Sequence, residues 1–182
     1  ILKSKYKILD KISESHSNVI YKGIHIDSNV PLLIRIYKRD YLNSNLIKQL
    51  KKEVSALSKL VNPNIPRLLD GDYGWQGFYF IREFVSGPSI EEIKKPIPVE
   101  KAEILAKGIC EALAFAHSLG IVHGGINSQN IFLENDTDIK VADFCIKTLL
   151  SRTSDKKASL ILNNNLDFIS PEEILGKKAS VY

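Results

Sequence analysis

The 182-residue chain has only two cysteines and no methionine, and it lacks any apolar run long enough to cross a membrane. Cys110 and Cys145 stand far apart with no CxxC spacing, which argues against a disulfide framework and favours a reducing compartment. A membrane-spanning helix needs about 20 consecutive apolar residues, and the N-terminus has no signal-peptide pattern. Because the sequence does not start with methionine, we expect it to be a piece of a longer protein, whose other parts could include a membrane anchor.

Strong charge of one sign is also missing. The 25 lysines and arginines face 21 acidic residues, which gives a formal net charge of +4, and the lysines are spread along the chain. A nucleic-acid-binding protein needs a basic face with aromatic residues in it, so we expect no nucleic-acid partner. The hydrophobic fraction of 44% and the charged fraction of 25% are typical of a folded globular protein.

The first half of the chain consists mainly of short runs in which apolar and polar residues alternate, which predicts strands. We predict five strands, at residues 6–12, 19–26, 32–37, 65–70 and 78–85. In the third, a period of two puts Leu33 and Arg35 on one face and the apolar residues Leu32, Ile34 and Ile36 on the other. Apolar residues at helical spacing predict a helix over 44–60, with Ser44 as its N-cap. This half should form an antiparallel sheet with one helix.

The second half is predicted to be mainly helical. A short helix is expected over 89–94, and a long amphipathic helix over 98–119 is closed by Gly120. The stretch 121–133 then reads as an apolar β-bridge, a polar loop and a short apolar strand, and a further strand is expected at 139–142. Ser170–Pro171–Glu172–Glu173 is expected to start a last helical turn.

The order and spacing of these elements and loops resemble a eukaryotic-type serine/threonine protein kinase domain, from Tyr6 to Glu172. The resemblance implies an α+β, two-lobed fold. Its N-lobe, a five-stranded antiparallel sheet with one helix, would cover residues 1–86. A partial helical C-lobe would cover 87–182, with a hinge at about 83–88. Because the sequence ends soon after the Ser-Pro-Glu motif, we expect most of the helical C-lobe to be missing.

Several positions at which this family binds ATP carry other residues here. Ser13, Ser15 and Asn18 replace the glycines of the phosphate-covering loop, and their side chains would stand where phosphate lies. Leu33 replaces a small residue against which adenine packs, and Arg35 replaces the phosphate-binding lysine, which is not a conservative exchange. The resemblance thus implies a degenerate nucleotide site, with weak or absent ATP binding, built from Ser13, Ser15, Asn18, Ile20, Leu33, Arg35, Glu53, Arg82, Glu83 and Val85.

Two arginines in this set need a partner. Arg35 is expected to pair with Glu53 on the first long helix and to bridge the helix to the sheet. Arg82 falls at the position that lines the back of the nucleotide pocket, where it must find an anion, either Asp143 or Glu53. The alternative is that Arg82 curls out to solvent. Glu83, Phe84 and Val85 would form the hinge, whose backbone groups can bind a purine whatever the side chains are.

The loop that starts at His123 lacks the side chains that catalysis needs. Gly125 stands where active members have the aspartate that orients the substrate hydroxyl, and Asn127 stands where they have a lysine. We therefore expect no catalytic residue. His123 is expected to be a packed core histidine that is hydrogen-bonded near Asp143. Asn130 and Asp143 are retained and could ligate Mg²⁺, while Cys145 replaces a glycine after Phe144.

The resemblance and its departures predict a pseudokinase, a scaffold or regulatory module that does not transfer phosphate, because the acceptor-side aspartate, the phosphate lysines and the glycine loop are lost together. Its partner would be another protein or an adjacent domain of the same chain, and its location cytoplasmic, which includes the cytoplasmic part of a larger membrane protein. The alternative is a weakly active serine/threonine kinase dependent on ATP and Mg²⁺. Phosphorylation of the Ser/Thr-rich segment at 148–159 by another kinase is left open.

Overall fold

The computed structural model describes residues 2–135 and 137–144, together with Phe168 and Pro171. Within these residues the chain forms two compact units. The first contains residues 2–59 and Arg67–Phe84, and the second contains Leu60–Pro66 and residues 85–144. The lobe boundaries inferred from the sequence concern the complete domain and stay a prediction.

The first unit is a five-stranded antiparallel sheet with one helix, as predicted. The strands are β1 (Tyr6–Glu14), β2 (Asn18–His25), β3 (Pro31–Lys38), β4 (Leu68–Gly74) and β5 (Gly77–Glu83), in the order β1-β2-β3-β5-β4. A short 3₁₀ turn, Arg39–Tyr41, leads from β3 to α1 (Ser44–Leu57). The helix packs on β4, where Gly71 has no side chain that would collide with Val54.

The alternation in β3 decides which face of this sheet is packed. Leu32, Ile34 and Ile36 are buried in one cluster with Tyr6, Tyr79 and Ile81. Leu33 and Arg35 lie half-buried on the opposite face. The two-residue period therefore predicted the faces of β3 correctly.

The second unit contains α2 (Val99–Ser118) and a two-stranded ladder of β6 (Ile131–Leu133) and β7 (Ile139–Val141). Gly108 of α2 lies against Ile139, where a Cβ atom would overlap the isoleucine side chain, so a glycine lets the helix approach β7 closely. Segment 60–66 is tied to the same unit, since Val141 N donates to Asn64 O over 2.8 Å and Lys140 Nζ donates to Pro63 O over 2.6 Å.

Four local predictions are wrong. Residues 89–94 form turns instead of a short helix, because Ser89 bridges to Phe132 and Ile90 N donates to Ile131 O over 2.8 Å. The N-cap of α1 is Asn43, whose Oδ1 accepts from Leu46 N over 2.9 Å, so Ser44 is already helical. The fourth strand begins at Leu68 instead of residue 65, because Ile65 bridges back to Asn62. Ile121 and Val122 form neither strand nor bridge within the described residues.

None of the helices among the described residues combines the length and the apolar character that a bilayer span requires. The last helical turn predicted around Ser170–Glu173, Cys145 and the Ser/Thr-rich segment 148–159 fall outside the described residues, Pro171 excepted.

Candidate functional site

The turn between β1 and β2, where the sequence predicts a degenerate phosphate loop, is closed by its own side chains. Ser15 Oγ accepts from Asn18 N over 3.1 Å, from Asn18 Nδ2 over 3.0 Å and from Ser17 N over 3.3 Å. A phosphate bound by such a turn would need those same backbone N–H groups. Ser13, in contrast, is an exposed residue of β1 opposite Ile20. The backbone donors that a phosphate would need are therefore already bonded to Ser15 Oγ.

Charged groups fasten this turn to the next strand. Lys38 Nζ donates to Glu14 Oε1 over 2.7 Å and to Ser15 O over 3.0 Å, and Lys11 Nζ donates to Glu14 Oε2 over 2.9 Å. Hydrogen bonds from Lys38, and next from Lys11, lower the pKa of Glu14 to about 2. The carboxylate is therefore charged throughout the neutral and mildly acid range, and it keeps Lys38 on the turn.

The strand register brings four of the predicted nucleotide-binding residues, Ile20, Leu33, Arg35 and Arg82, onto one face of the sheet. Leu33 stands between Lys22 and Arg82, and Arg35 stands between Ile20 and Phe80. Cross-strand partners lie on the same face, so two rows with three cations, Lys22, Arg35 and Arg82, run across it. Glu53 is half-buried on α1, and its pairing with Arg35 stays a prediction.

Arg82 does not curl out to solvent, so that alternative is wrong. Its residue is 7% exposed, and Nη1 donates to the backbone carbonyl of Glu83 over 3.0 Å. A buried guanidinium is costly unless its N–H groups find acceptors. Here one acceptor is the main chain of the next residue, which the sequence analysis did not consider.

The backbone around Glu83 is largely engaged. Glu83 N donates to Arg67 O over 3.0 Å, and Glu83 Oε2 accepts from Arg67 N over 3.1 Å. Phe84 N donates to Pro31 O over 3.3 Å. Val85, the last residue of the predicted hinge triplet, is buried in the second unit.

In the second unit, the loop around Gly125 is held by two asparagine side chains. Asn127 is 5% exposed, and its Nδ2 donates to Gly125 O over 3.1 Å while its Oδ1 accepts from Gln129 N over 2.9 Å and from Asn130 N over 3.2 Å. Asn130 Nδ2 donates to the same Gly125 carbonyl over 3.0 Å. These bonds give the loop a hydrogen-bonded frame, but position 125 has no side chain that could accept a proton.

Asp143 comes next to this loop through the backbone. Ala142 N donates to Asn130 O over 2.8 Å, so Asp143 starts directly after a residue that is bonded to Asn130. The φ angle of Asp143 is +66°, in the left-handed region that residues other than glycine rarely adopt. Such backbone strain is concentrated at functional sites, and it directs attention to Asp143.

His123 is a packed core residue, as predicted. It is 3% exposed, its Nε2 lies 2.9 Å from Ala142 O, and its ring centroid lies 4.4 Å from that of Phe144. A carbonyl oxygen can only accept, so Nε2 carries the hydrogen. The histidine links the loop to the residues on either side of Asp143 and has a structural role.

Comparison with known proteins now decides the family. The family model described as protein kinase domain matches residues 6–182, nearly the whole chain. The chain belongs to the protein kinase domain family. The kinase domain is 30% identical over its whole length to the serine/threonine-protein kinase PrkC of Bacillus subtilis, of which it covers 29%. It is 22% identical over 96% of its length to the serine/threonine-protein kinase PknL of Mycobacterium tuberculosis, of which it covers 44%.

A solved structure agrees on the fold. The PknI kinase domain of Mycobacterium tuberculosis superposes with a TM-score of 0.72 at 18% identity, over 98% of this chain and 68% of that one. The predicted α+β protein-kinase fold is thereby confirmed. The kinase domain spans less than half the length of PrkC and PknL.

The family uses Mg²⁺ and ATP, and the residues of this kinase domain fit the two unequally. Amide and carboxylate oxygens are the ligands that Mg²⁺ prefers. The Asn130 amide nitrogen is bonded to Gly125 O, so Asn130 Oδ1 and the Asp143 carboxylate are the groups that would hold the cation. No group of three or more His, Cys, Asp or Glu side chains with metal-binding spacing occurs in the part of the chain that the structure describes. The β1–β2 turn does not fit a triphosphate, since Ser15 takes its N–H groups.

Sequence reasoning missed the structural role of Asn127 in the kinase domain. The residue type indicates only that a lysine is replaced, whereas the structure shows that the Asn127 amide closes the turn and donates to the Gly125 carbonyl. An asparagine whose side-chain oxygen accepts from the backbone N–H groups two and three residues later forms an Asx turn. That pattern was the available signal.

Proposed function

We propose that this kinase domain is a pseudokinase, a scaffold or regulatory binding module with weak or no ATP binding. The observation that carries the proposal is the loop around Gly125. Two asparagine amides converge on the Gly125 carbonyl and hold the loop in shape, while the position itself has no side chain to orient or deprotonate an acceptor. Phosphoryl transfer in this family depends on positioning and charge stabilisation by several groups that act together.

The nucleotide side supports the same proposal. The Ser15 hydroxyl already takes two backbone N–H groups of the turn that would cover phosphates. Leu33 fills the row between Lys22 and Arg82, where the family has a small residue. We propose that the bound partner is another protein or an adjacent domain of the same chain, and that the domain works in the cytoplasm.

A weakly active serine/threonine kinase is the second candidate. It is favoured by Asn130 and Asp143, two residues with oxygen-bearing side chains in segments that are joined by the bond from Ala142 N to Asn130 O. The left-handed backbone at Asp143 also favours it, since strain of this kind is retained where it serves a function.

Thermal unfolding in the presence of ATP separates the two candidates. A ligand that binds only the folded state must raise the midpoint of unfolding. For a pseudokinase we expect no shift at millimolar ATP, with or without Mg²⁺, and no phosphate transfer to a general acceptor protein. Transfer above background that disappears in Asp143→Ala would establish the kinase instead.

A further inference from the structure

Arg82 makes a contact that has a direct bearing on which bases this kinase domain can accept. Arg82 is a buried residue of the first unit, and its Nη1 donates to Glu83 O over 3.0 Å. The side chain thus turns back along its own strand end and bonds the main chain of the following residue. A long, flat guanidinium with several donors is well suited to hold such a position.

The Glu83 carbonyl is the kind of group that a purine needs. Adenine presents an exocyclic amine, which is a donor, next to a ring nitrogen, which is an acceptor. A strand end that binds adenine must therefore offer a carbonyl oxygen together with an N–H group. Glu83 and Phe84 belong to the segment whose backbone the resemblance assigns to this role.

The two N–H groups next to the Glu83 carbonyl cannot take over its role. The N–H of Glu83 is bonded to Arg67 O, and the N–H of Phe84 is bonded to Pro31 O. Both are donors, so neither could accept from an exocyclic amine. Displacing the guanidinium would expose a buried charge to an incoming apolar ring, which costs far more than one hydrogen bond contributes.

Leu33 adds a steric barrier beside the same contact. It is the direct cross-strand partner of Arg82 in the β3–β5 ladder, and Lys22 is its partner on the other side. Lys22 lies over the Phe84 ring, with Nζ 4.8 Å from the ring centroid. The row Lys22–Leu33–Arg82 therefore has a cation at each end. Lys22 lies over the Phe84 ring, and Arg82 is bonded to the Glu83 carbonyl.

We infer that Arg82 is a specificity-determining residue: its buried guanidinium, bonded to the Glu83 carbonyl, places a cationic donor where a purine amine would approach and so excludes purine bases from this face of the sheet. The inference rests on the proposed function, since it explains how a kinase fold avoids nucleotides. It goes further in assigning the exclusion of the base to one side chain, separately from the loss of the phosphate loop.

Binding of adenosine, which has no phosphate, tests the inference without involving the β1–β2 turn. Wild-type chain and Arg82→Met are titrated with adenosine by calorimetry. Methionine keeps the length and the apolar stem but has no donor and no charge. We expect Arg82→Met to bind adenosine about tenfold tighter than wild type, the gain from one freed acceptor and a removed buried charge.

Matched variants keep the result interpretable. Arg67→Met removes an exposed arginine whose main chain, and not its side chain, bonds Glu83, so it should leave adenosine binding unchanged. Arg82→Leu provides a second donor-free variant if Arg82→Met does not fold by circular dichroism. Equal adenosine binding by wild type and both folded Arg82 variants would overturn the inference while leaving the pseudokinase proposal in place. Phosphate transfer by the wild type would overturn the pseudokinase proposal, whatever Arg82 does.

Discussion

The β1–β2 turn and the loop around Gly125 differ in what stands at the positions where the resemblance implies ATP-binding and catalytic groups. The turn is filled, in that the Ser15 hydroxyl accepts from the backbone N–H groups of Ser17 and Asn18. The loop is emptied, in that Gly125 has no side chain, while Asn127 and Asn130 donate to its carbonyl. A hydroxyl that already holds the backbone donors opposes ligand binding, whereas a missing side chain removes only the group that would take part in the reaction.

The difference separates folding from chemistry in this domain. In the frame of the emptied loop, Asn130 N donates to Asn127 Oδ1 and Ala142 N donates to Asn130 O. These bonds stabilise the second unit whether or not a phosphate is transferred. Asn130 therefore has a structural role that does not depend on activity. It is not by itself a sign of activity, and the comparison can be tested by removing each set of bonds in turn.

The largest effect is expected for Asn127→Ala in the emptied loop. The change removes one donated and two accepted hydrogen bonds at a buried residue, which should lower the free energy of unfolding by about 2–4 kcal/mol. Denaturant titration measures the loss, and Gln129→Ala, at an exposed position of the same loop, should change it by less than about 0.5 kcal/mol. Equal effects of the two variants would mean that the asparagine frame is not what holds the loop.

A smaller effect is expected for Ser15→Ala in the filled turn. Loss of the hydroxyl leaves the N–H groups of Ser17 and Asn18 without their acceptor, at a cost of about 1 kcal/mol. Amide hydrogen exchange should become faster at those two residues. The exposed Ser13→Ala serves as control. Unchanged amide exchange at Ser17 and Asn18 in Ser15→Ala would show that the Ser15 hydroxyl does not protect these N–H groups.

The smallest effect concerns acid pH at the same turn. The pKa of Glu14 is lowered to about 2 by Lys38 and Lys11, so its stabilising contribution is fully present above the ordinary glutamate pKa of about 4.3 and is lost as the pH falls through about 2. Carboxyl chemical shifts followed by NMR should place the Glu14 midpoint there. Glu14→Gln should remove this part of the acid dependence, and a midpoint at the ordinary value would refute the pairing.

Most of the fold could be predicted because its signals are local and periodic. The alternation of Leu32, Ile34 and Ile36 with Leu33 and Arg35 specifies the faces of β3, since adjacent side chains of a strand point to opposite faces. The wrong predictions involve competition between neighbours. Asn43 and Ser44 are both good caps, and residues 89–94 are too few to form a helix against the pairing of Ser89 with Phe132.

The candidate site was predictable in its residue types but not in its contacts. That Gly125 cannot act as a base follows from its lack of a side chain. That Arg82 bonds the Glu83 carbonyl depends on which rotamer the packing of the first unit allows. The same holds for Asn127, whose three bonds involve the local path of the backbone as well as the residue type.

The position of segment 60–66 in the second unit has a consequence for limited proteolysis of the chain. Between residues 2 and 144 the chain passes from one unit to the other three times, after residues 59, 66 and 84. A protease that cuts once after Phe84 would therefore release no fragment that matches a unit. The first product would still include Asn64, whose carbonyl is bonded to Val141 in the second product, so the two products would remain joined by hydrogen bonds inside the second unit.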